Sequence, residues 1–227
     1  MTDARVCLAG EAVELLPERA LFWPRPGTLV VADLHWGKAA TFRAAGIPIP
    51  TGSTRDDLAR LDLALRRTHA RRLVVLGDLF HARAGRAAAG TLGELRRWRG
   101  LHPELEMLLV RGNHDRHAGD PPEDLRINCV NAPACIPPFV FRHEPATSAA
   151  GFTLAGHLHP GLVLCGPALQ RERLPCFLLR EQSAVLPAFG SFTGLGMIEP
   201  GPRDRAFVVA DAEVIEVTRG TGYTAIF

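Results

Sequence analysis

The chain has 227 residues, a net charge of +2, 47% hydrophobic residues and 22% charged ones. That length allows a core burying roughly 70% of the extended chain's surface, and the near-neutral balance excludes a protein that acts through bulk positive charge toward nucleic acid. No run approaches the ~20 apolar residues of a membrane span. The amino terminus, with Asp3, Arg5, Glu11 and Glu14, lacks the cationic start and apolar centre of a signal peptide, so a cytoplasmic protein with no membrane partner is expected. Cys7, Cys129, Cys135, Cys165 and Cys176 are odd in number and never spaced C-x-x-C, which excludes a disulfide framework and a zinc ribbon. They read as small buried apolar residues.

Taken in chain order, Thr28 to Ala32 reads as a buried strand that stops at Asp33-Leu34-His35. Ser53 to Thr68 carries Leu58, Leu61 and Leu65 at helical spacing, with Asp56 and Asp57 in its first turn, and predicts an amphipathic helix. Arg72 to Leu76 is a second strand, ending at Gly77-Asp78, and a second helix is expected over Arg86 to Arg99. Met107 to Val110 is a third strand, leading to Gly112-Asn113-His114-Asp115. Beyond Asn113 the pattern turns β-rich, with prolines such as Pro121, Pro122, Pro133, Pro137, Pro138, Pro160, Pro167, Pro175 and Pro187 between short apolar runs. Phe139 to Phe141 precedes His143, and Phe152 to Ala155 stops at Gly156-His157-Leu158-His159. The whole predicts an α/β fold of two packed sheets with helices outside. The arginine groups Arg66, Arg67, Arg71, Arg72 and Arg96, Arg97, Arg99 fall at helix ends, where cations favour the helix dipole, with a stripe that tracks phosphates as the alternative.

Every candidate ligand therefore stands where a strand ends, the place where layered α/β proteins bind ligands. Carboxylates from Asp33 and Asp78, imidazoles from His35, His157 and His159 and the amide oxygen of Asn113 form a mixed oxygen and nitrogen set without thiolate. Such a set suits Mn²⁺, iron or Zn²⁺ better than a soft metal. Two ions about 3.5–4 Å apart need a bridging group, and Asp78 is the candidate. Polarisation of a phosphoryl oxygen and attack by metal-activated hydroxide would then make the reaction phosphoester hydrolysis.

The order D-x-H, G-D, G-N-H-D, a lone His and G-H-x-H resembles the calcineurin-like metallophosphoesterases, from Asp33 to His159. The resemblance implies a four-layer α/β/β/α sandwich in a single domain spanning 1–227. It assigns Asp33, His35, Asp78 and His159 to a first metal, and Asp78, Asn113 and His157 to a second. His143 fills the place of the family's lone histidine, and His114 matches its non-ligand histidine near the scissile phosphate. Asp115 is either an orienting partner for His114 or a structural residue. Val31 to Lys38, Gly77 to His81, Arg111 to Arg116, His143-Glu144-Pro145 and Pro187 to Gly194 are similar, more narrowly, to bacterial ligase-associated DNA damage response endonucleases. That implies a Mn²⁺-dependent phosphodiesterase acting on DNA, encoded beside an ATP-dependent DNA ligase, a helicase and an exonuclease. A small nucleotide diester or the pyrophosphate of a lipid precursor is the alternative substrate, and a non-catalytic repair scaffold the third reading. Lys38, the only lysine, and His81 either support the metal ligands or contact phosphate, or are a surface lysine and an ordinary loop histidine; Ser191 and Thr193 either line the cleft or form a turn. His69, His102 and His117 are expected at the surface.

Overall fold

The computed structural model describes residues 1–165, 171–217 and 224–225. Seven strands lie in sequence order in a first sheet: β1 (Ala4–Leu8), β2 (Glu11–Leu16), β3 (Ala20–Trp23), β4 (Thr28–Val31), β5 (Arg72–Val75), β6 (Glu106–Val110) and β7 (Asn128–Val130). The first four form an antiparallel meander, and β4 to β7 run parallel. The crossovers carry α1 (Lys38–Ala44), α2 (Ser53–Thr68), α3 (Arg83–Ala87), α4 (Ala89–Leu101) and α5 (Asn113–Ala118).

A second sheet of ten strands follows. It contains β8 (Ala134–Ile136), β9 (Phe139–Phe141), β10 (Phe152–Ala155), β11 (Pro160–Cys165), β12 (Arg171–Leu179), β13 (Ser183–Val185), β14 (Gly196–Met197), β15 (Arg205–Ala210), β16 (Glu213–Val217) and β17 (Thr224–Ala225). Strands β9, β10 and β13 are parallel neighbours.

Strands β3 and β4 are buried at every position, as strands covered on both faces are. Alternation sends successive side chains into two cores. Leu29, Val31, Leu73 and Val75 pack against Leu61, Leu65, Leu95 and Trp98 of α2 and α4, whereas Val30 and Val74 pack against Phe139, Phe141, Leu154 and Phe177 of the second sheet. This is the expected two-sheet sandwich. Its helices lie on the first sheet. Among the described residues no α-helix follows Ala118, and the outer face of the second sheet is closed by a small cluster of its own side chains, Leu162, Cys176, Ala206 and Val208. Among the described residues the connections between these strands are ten residues or fewer and run as turns and extended chain, so the expected outer helical layer on this sheet is not formed there.

The helix expected over Ser53–Thr68 is present with those bounds. The one expected over Arg86 to Arg99 is divided by extended backbone at Ala88 (φ −66°, ψ 117°) into α3 and α4. Strands β1 to β3 were not expected, although Val6, Leu8, Val13 and Leu15 alternate and point inward. Cys176 is buried as anticipated, but Cys7 and Cys135 are exposed because they occupy the outward positions of β1 and β8. Pro167 and the side chain of Cys165 lie outside the described residues. His69 and His117 are exposed, and His102 is half-buried with its Nε2 3.0 Å from Asp62.

Five of the seven arginines in the two groups serve the fold. Arg67 spans Asp3 and Glu18, Arg66 pairs with Asp62, Arg72 with Glu106 and Arg96 with Asp124, while Arg99 donates to the carbonyls of Leu105 and Leu125.

Candidate metal centre

The two sheets meet where β4, β5 and β6 of one and β9 and β10 of the other reach their carboxyl ends. A parallel bridge joins Ala32 to Ala188, with Phe189 N–H donating to the Ala32 carbonyl at 2.8 Å. At this seam five non-glycine residues adopt left-handed backbone: Asp33 (φ 54°), His35 (47°), Asp78 (54°), His157 (70°) and His159 (46°). The conformation costs an L-residue about 1–2 kcal/mol, and Asn, Asp and His are the side chains enriched in it. Main-chain contacts hold it. His35 N–H donates to the Asp78 carbonyl (2.9 Å), His157 N–H to Asp33 Oδ2 (2.8 Å) and His114 N–H to Asp78 Oδ1 (2.9 Å).

The side chains of Asp33, His35, Asp78, Asn113, His143, His157 and His159 are brought together in two convergences. In one, His35 Nε2 lies 3.4 Å from His159 Nε2, and His159 Nε2 lies 3.5 Å from Asp33 Oδ1. In the other, His143 Nδ1 is committed to the Leu76 carbonyl at 2.9 Å, so that Nε2 presents a lone pair. That lone pair faces Asn113 Oδ1 at 2.8 Å and His157 Nδ1 at 3.0 Å. Asp78 Oδ2 belongs to both groups, 3.7 Å from His35 Nε2 and 3.5 Å from His143 Nε2.

Acceptors that face acceptors in a buried space call for a cation. Asp33 and Asp78 are nearly inaccessible, and Asp33 Oδ1 has no hydrogen-bond donor at all. An unpartnered buried carboxylate oxygen carries a large desolvation penalty, which a divalent ion would remove. Burial, then the charges of His159 and His114, push the His35 imidazole down to about 2, so it stands as a neutral donor. Burial followed by the neighbouring Asp33 raises Asp78, against the opposing effect of His143. The donor set of carboxylate, imidazole and amide oxygen fits divalent metal.

His114 sits beside this set with Nε2 4.0 Å from Asp78 Oδ2 and its side chain part-exposed. Its Nδ1 donates to the His81 carbonyl at 2.7 Å, which leaves Nε2 as the atom that accepts and releases a proton. Asp115 does not touch that ring. Its carboxylate instead receives the N–H groups of Asp78 (2.7 Å), Leu79 (2.9 Å) and Gly112 (2.9 Å), tying the end of β5 to the end of β6. Between the two readings of Asp115, the contacts are those of a structural residue.

His81 emerges beside the site. It stacks on His114 (centroids 4.9 Å, 27° between planes), and its imidazole is pushed down to about 4 by burial, then by Lys38 and His114. His35, His81 and His114 bring ring nitrogens within 4.8 Å of one another, but the face-to-face stack makes the lone pairs of His81 and His114 run parallel instead of converging. Thr193 serves its own turn, its Oγ1 donating to the Gly190 carbonyl, whereas Ser191 is tied to α2, its N–H donating to Asp57 Oδ1 at 2.9 Å.

Gly112 shows how tightly the seam is packed. A Cβ there would overlap Asp78 Oδ1 and come within 2.8 Å of Asp78 N and 2.9 Å of the His143 ring. Gly112→Ala is therefore expected to displace Asp78 and weaken divalent-metal binding by about 10–100-fold, the effect of disturbing a ligand's immediate support. Calorimetric titration of the metal-free variant with Mn²⁺ measures it, and unchanged affinity would contradict this packing.

No family model matches the chain, and no curated protein matches it. Among solved structures, the Pseudomonas putida nuclease MPE is similar at 40% identity over 95% of this chain and 100% of its own, with a TM-score of 0.82. A phosphoesterase from E. coli aligns at 16% identity over 84% of this chain and 97% of its own, with a TM-score of 0.41. The identity and full coverage of the nuclease, joined to motifs that meet at one seam, settle the family: the chain belongs to the ligase-associated endonuclease subgroup of the calcineurin-like metallophosphoesterases and is a hydrolase acting on phosphoester bonds.

Proposed function

We propose that the protein hydrolyses phosphodiester bonds of DNA at a binuclear centre, in the repair of DNA alongside a ligase, helicase and exonuclease. Asp33, His35, Asp78 and His159 would hold one ion, and Asp78, Asn113, His143 and His157 the other, with manganese as the metal. The observation that carries this reading is Asp78 Oδ2, which stands within 3.7 Å of an imidazole nitrogen from each convergence. The nuclease named in the similar structure supports nucleic acid as the substrate. Bound divalent ions would supply Lewis acidity toward a phosphoryl oxygen and activation of water.

The chain's own groups do the rest. Asp78 positions the His114 main chain through its Oδ1, while the His81 carbonyl holds the His114 ring so that Nε2 can give a proton to the departing oxygen. Asp115 fixes the two strand ends that carry these residues. Arg111 is occupied by Asp120 at 2.7 Å and by Asn131, which keeps its guanidinium from serving as the kind of clamp that favours a phosphomonoester dianion.

A diester should therefore be preferred. We expect kcat/KM for bis-p-nitrophenyl phosphate to exceed that for p-nitrophenyl phosphate by about tenfold or more, the factor lost with one charge-assisted hydrogen bond. DNA should be cut by the same preparation, and crystals soaked in Mn²⁺ should show two anomalous peaks flanking Asp78. A preference for the monoester, or a single peak, would overturn the reading.

A further inference from the structure

Beside the metal centre lies a second built feature, the segment Phe189 to Thr193. Gly190 N–H donates to the Asp33 carbonyl at 3.1 Å, and a Cβ on Gly190 would collide with the Leu34 carbonyl, so the segment rests directly on the Asp33-Leu34-His35 turn. From beneath, the buried Asp57 of α2 accepts the Ser191 N–H, and Arg60 donates both to Asp57 and to the Phe189 carbonyl. The guanidinium also lies over the Phe189 ring, 4.6 Å from its centroid. A charged pair and a stacked ring hold the segment firmly. What it displays is apolar: Phe192, 38% exposed, at the rim of the site.

Phe192 does not stand alone. It meets Phe42 edge-on (5.9 Å, 89°), Phe42 lies parallel to His81 (6.1 Å, 14°), and His81 stacks on His114. An aromatic surface thus runs from the proposed proton donor outward to Phe192. Lys38 Nζ lies 5.7 Å from the Phe192 centroid, and among the described residues it has no carboxylate partner. Flat π faces with a free cation, adjoining a site for phosphodiesters, match the two halves of a nucleotide.

We infer that Phe192, backed by Phe42, is a stacking residue that holds the nucleobase next to the scissile phosphate, with Lys38 facing the neighbouring phosphate charge. The inference rests on the phosphodiesterase reading above and gives it a specificity-determining residue. Asp57 and Arg60 act on it as positioning residues.

The test compares thymidine 5′-(p-nitrophenyl phosphate) with methyl p-nitrophenyl phosphate, which share charge and leaving group and differ in the nucleoside. Wild type should prefer the nucleoside ester in kcat/KM, and Phe192→Ala should reduce that preference by about tenfold, with Phe192→Trp restoring it. A second readout needs no metal: wild type in EDTA should quench the fluorescence of a 2-aminopurine oligonucleotide on binding, and Phe192→Ala should not. An unchanged preference together with equal quenching by wild type and variant would overturn the inference. So would a loss in Phe192→Ala that is the same for both esters, since that is what disturbed packing produces. If wild type with Mn²⁺ cleaves neither ester, the phosphodiesterase reading fails, while the metal-free quenching still decides whether Phe192 stacks a base.

Discussion

Asp78→Ala and Asn113→Ala are expected to lose DNA cleavage by more than about 100-fold, beyond the 10–100-fold that loss of a ligand's supporting group costs, while still melting cooperatively. Asp78 Oδ2 is the atom common to both donor groups, so its removal should affect both ions. Asn113 Oδ1 faces only His143 Nε2, and its removal should release one ion and keep the other. The two cores lie away from these side chains: Leu29, Leu61 and Trp98 on one side of the first sheet, and Val30, Phe139 and Phe177 on the other. Alanine at Asp78 carries the left-handed backbone penalty and strips His114 N–H of its acceptor, so Asp78→Asn, which tolerates φ near 54°, separates ligand loss from local damage. Circular-dichroism melts, metal counts by mass spectrometry and kcat would be measured on all three variants. Variants already unfolded at room temperature would make the metals structural, and retained turnover in Asp78→Asn would remove Asp78 from the centre.

His114→Ala should separate proton donation from metal binding. The residue reaches the site through Nε2, 4.0 Å from Asp78 Oδ2, with its other nitrogen held by the His81 carbonyl. It should keep both ions. General-acid catalysis contributes about 10²–10⁴-fold where the leaving oxygen needs a proton. A DNA alkoxide is such a group and p-nitrophenolate is not, so kcat on DNA should fall by that range while kcat on bis-p-nitrophenyl phosphate falls far less. Equal losses on the two substrates would assign His114 to holding the phosphate, and loss of an ion would make it a ligand.

The strand-end motifs were legible because each joins an apolar run to residues that have no business in a core, such as Asp33, Asp78 and the His157-His159 pair. Helix α2 was legible for the same reason, through Leu58, Leu61 and Leu65 on one face. Other features depend on contacts that no local pattern encodes. Asp115 lies next to His114 in the chain, yet its acceptors' work is for backbone 36 and 37 residues away. His81 acquires its neighbours only when the β5 loop folds under the start of α5, and Phe192 acquires Phe42 across the width of the site. Strands β1 to β3 were missed because their alternating runs are short and their polar positions, such as Glu14 against Arg5, look like surface. The division at Ala88 left no mark, since alanine is a good helix former and only the turn back toward α4 breaks the helix there.

The left-handed backbone at Asp33, His35, Asp78, His157 and His159 also limits how such a centre can evolve. A chain bent this way admits Asp, Asn, His and Gly with little penalty and resists β-branched residues. Three of those four are donors for hard or borderline ions, so an exchange among them keeps the backbone conformation accessible and a metal-binding atom in place. Each exchange of Asp for Asn or His removes one negative charge from the cavity. Such an exchange is expected to weaken the hold on a divalent ion while the backbone at that position keeps its conformation.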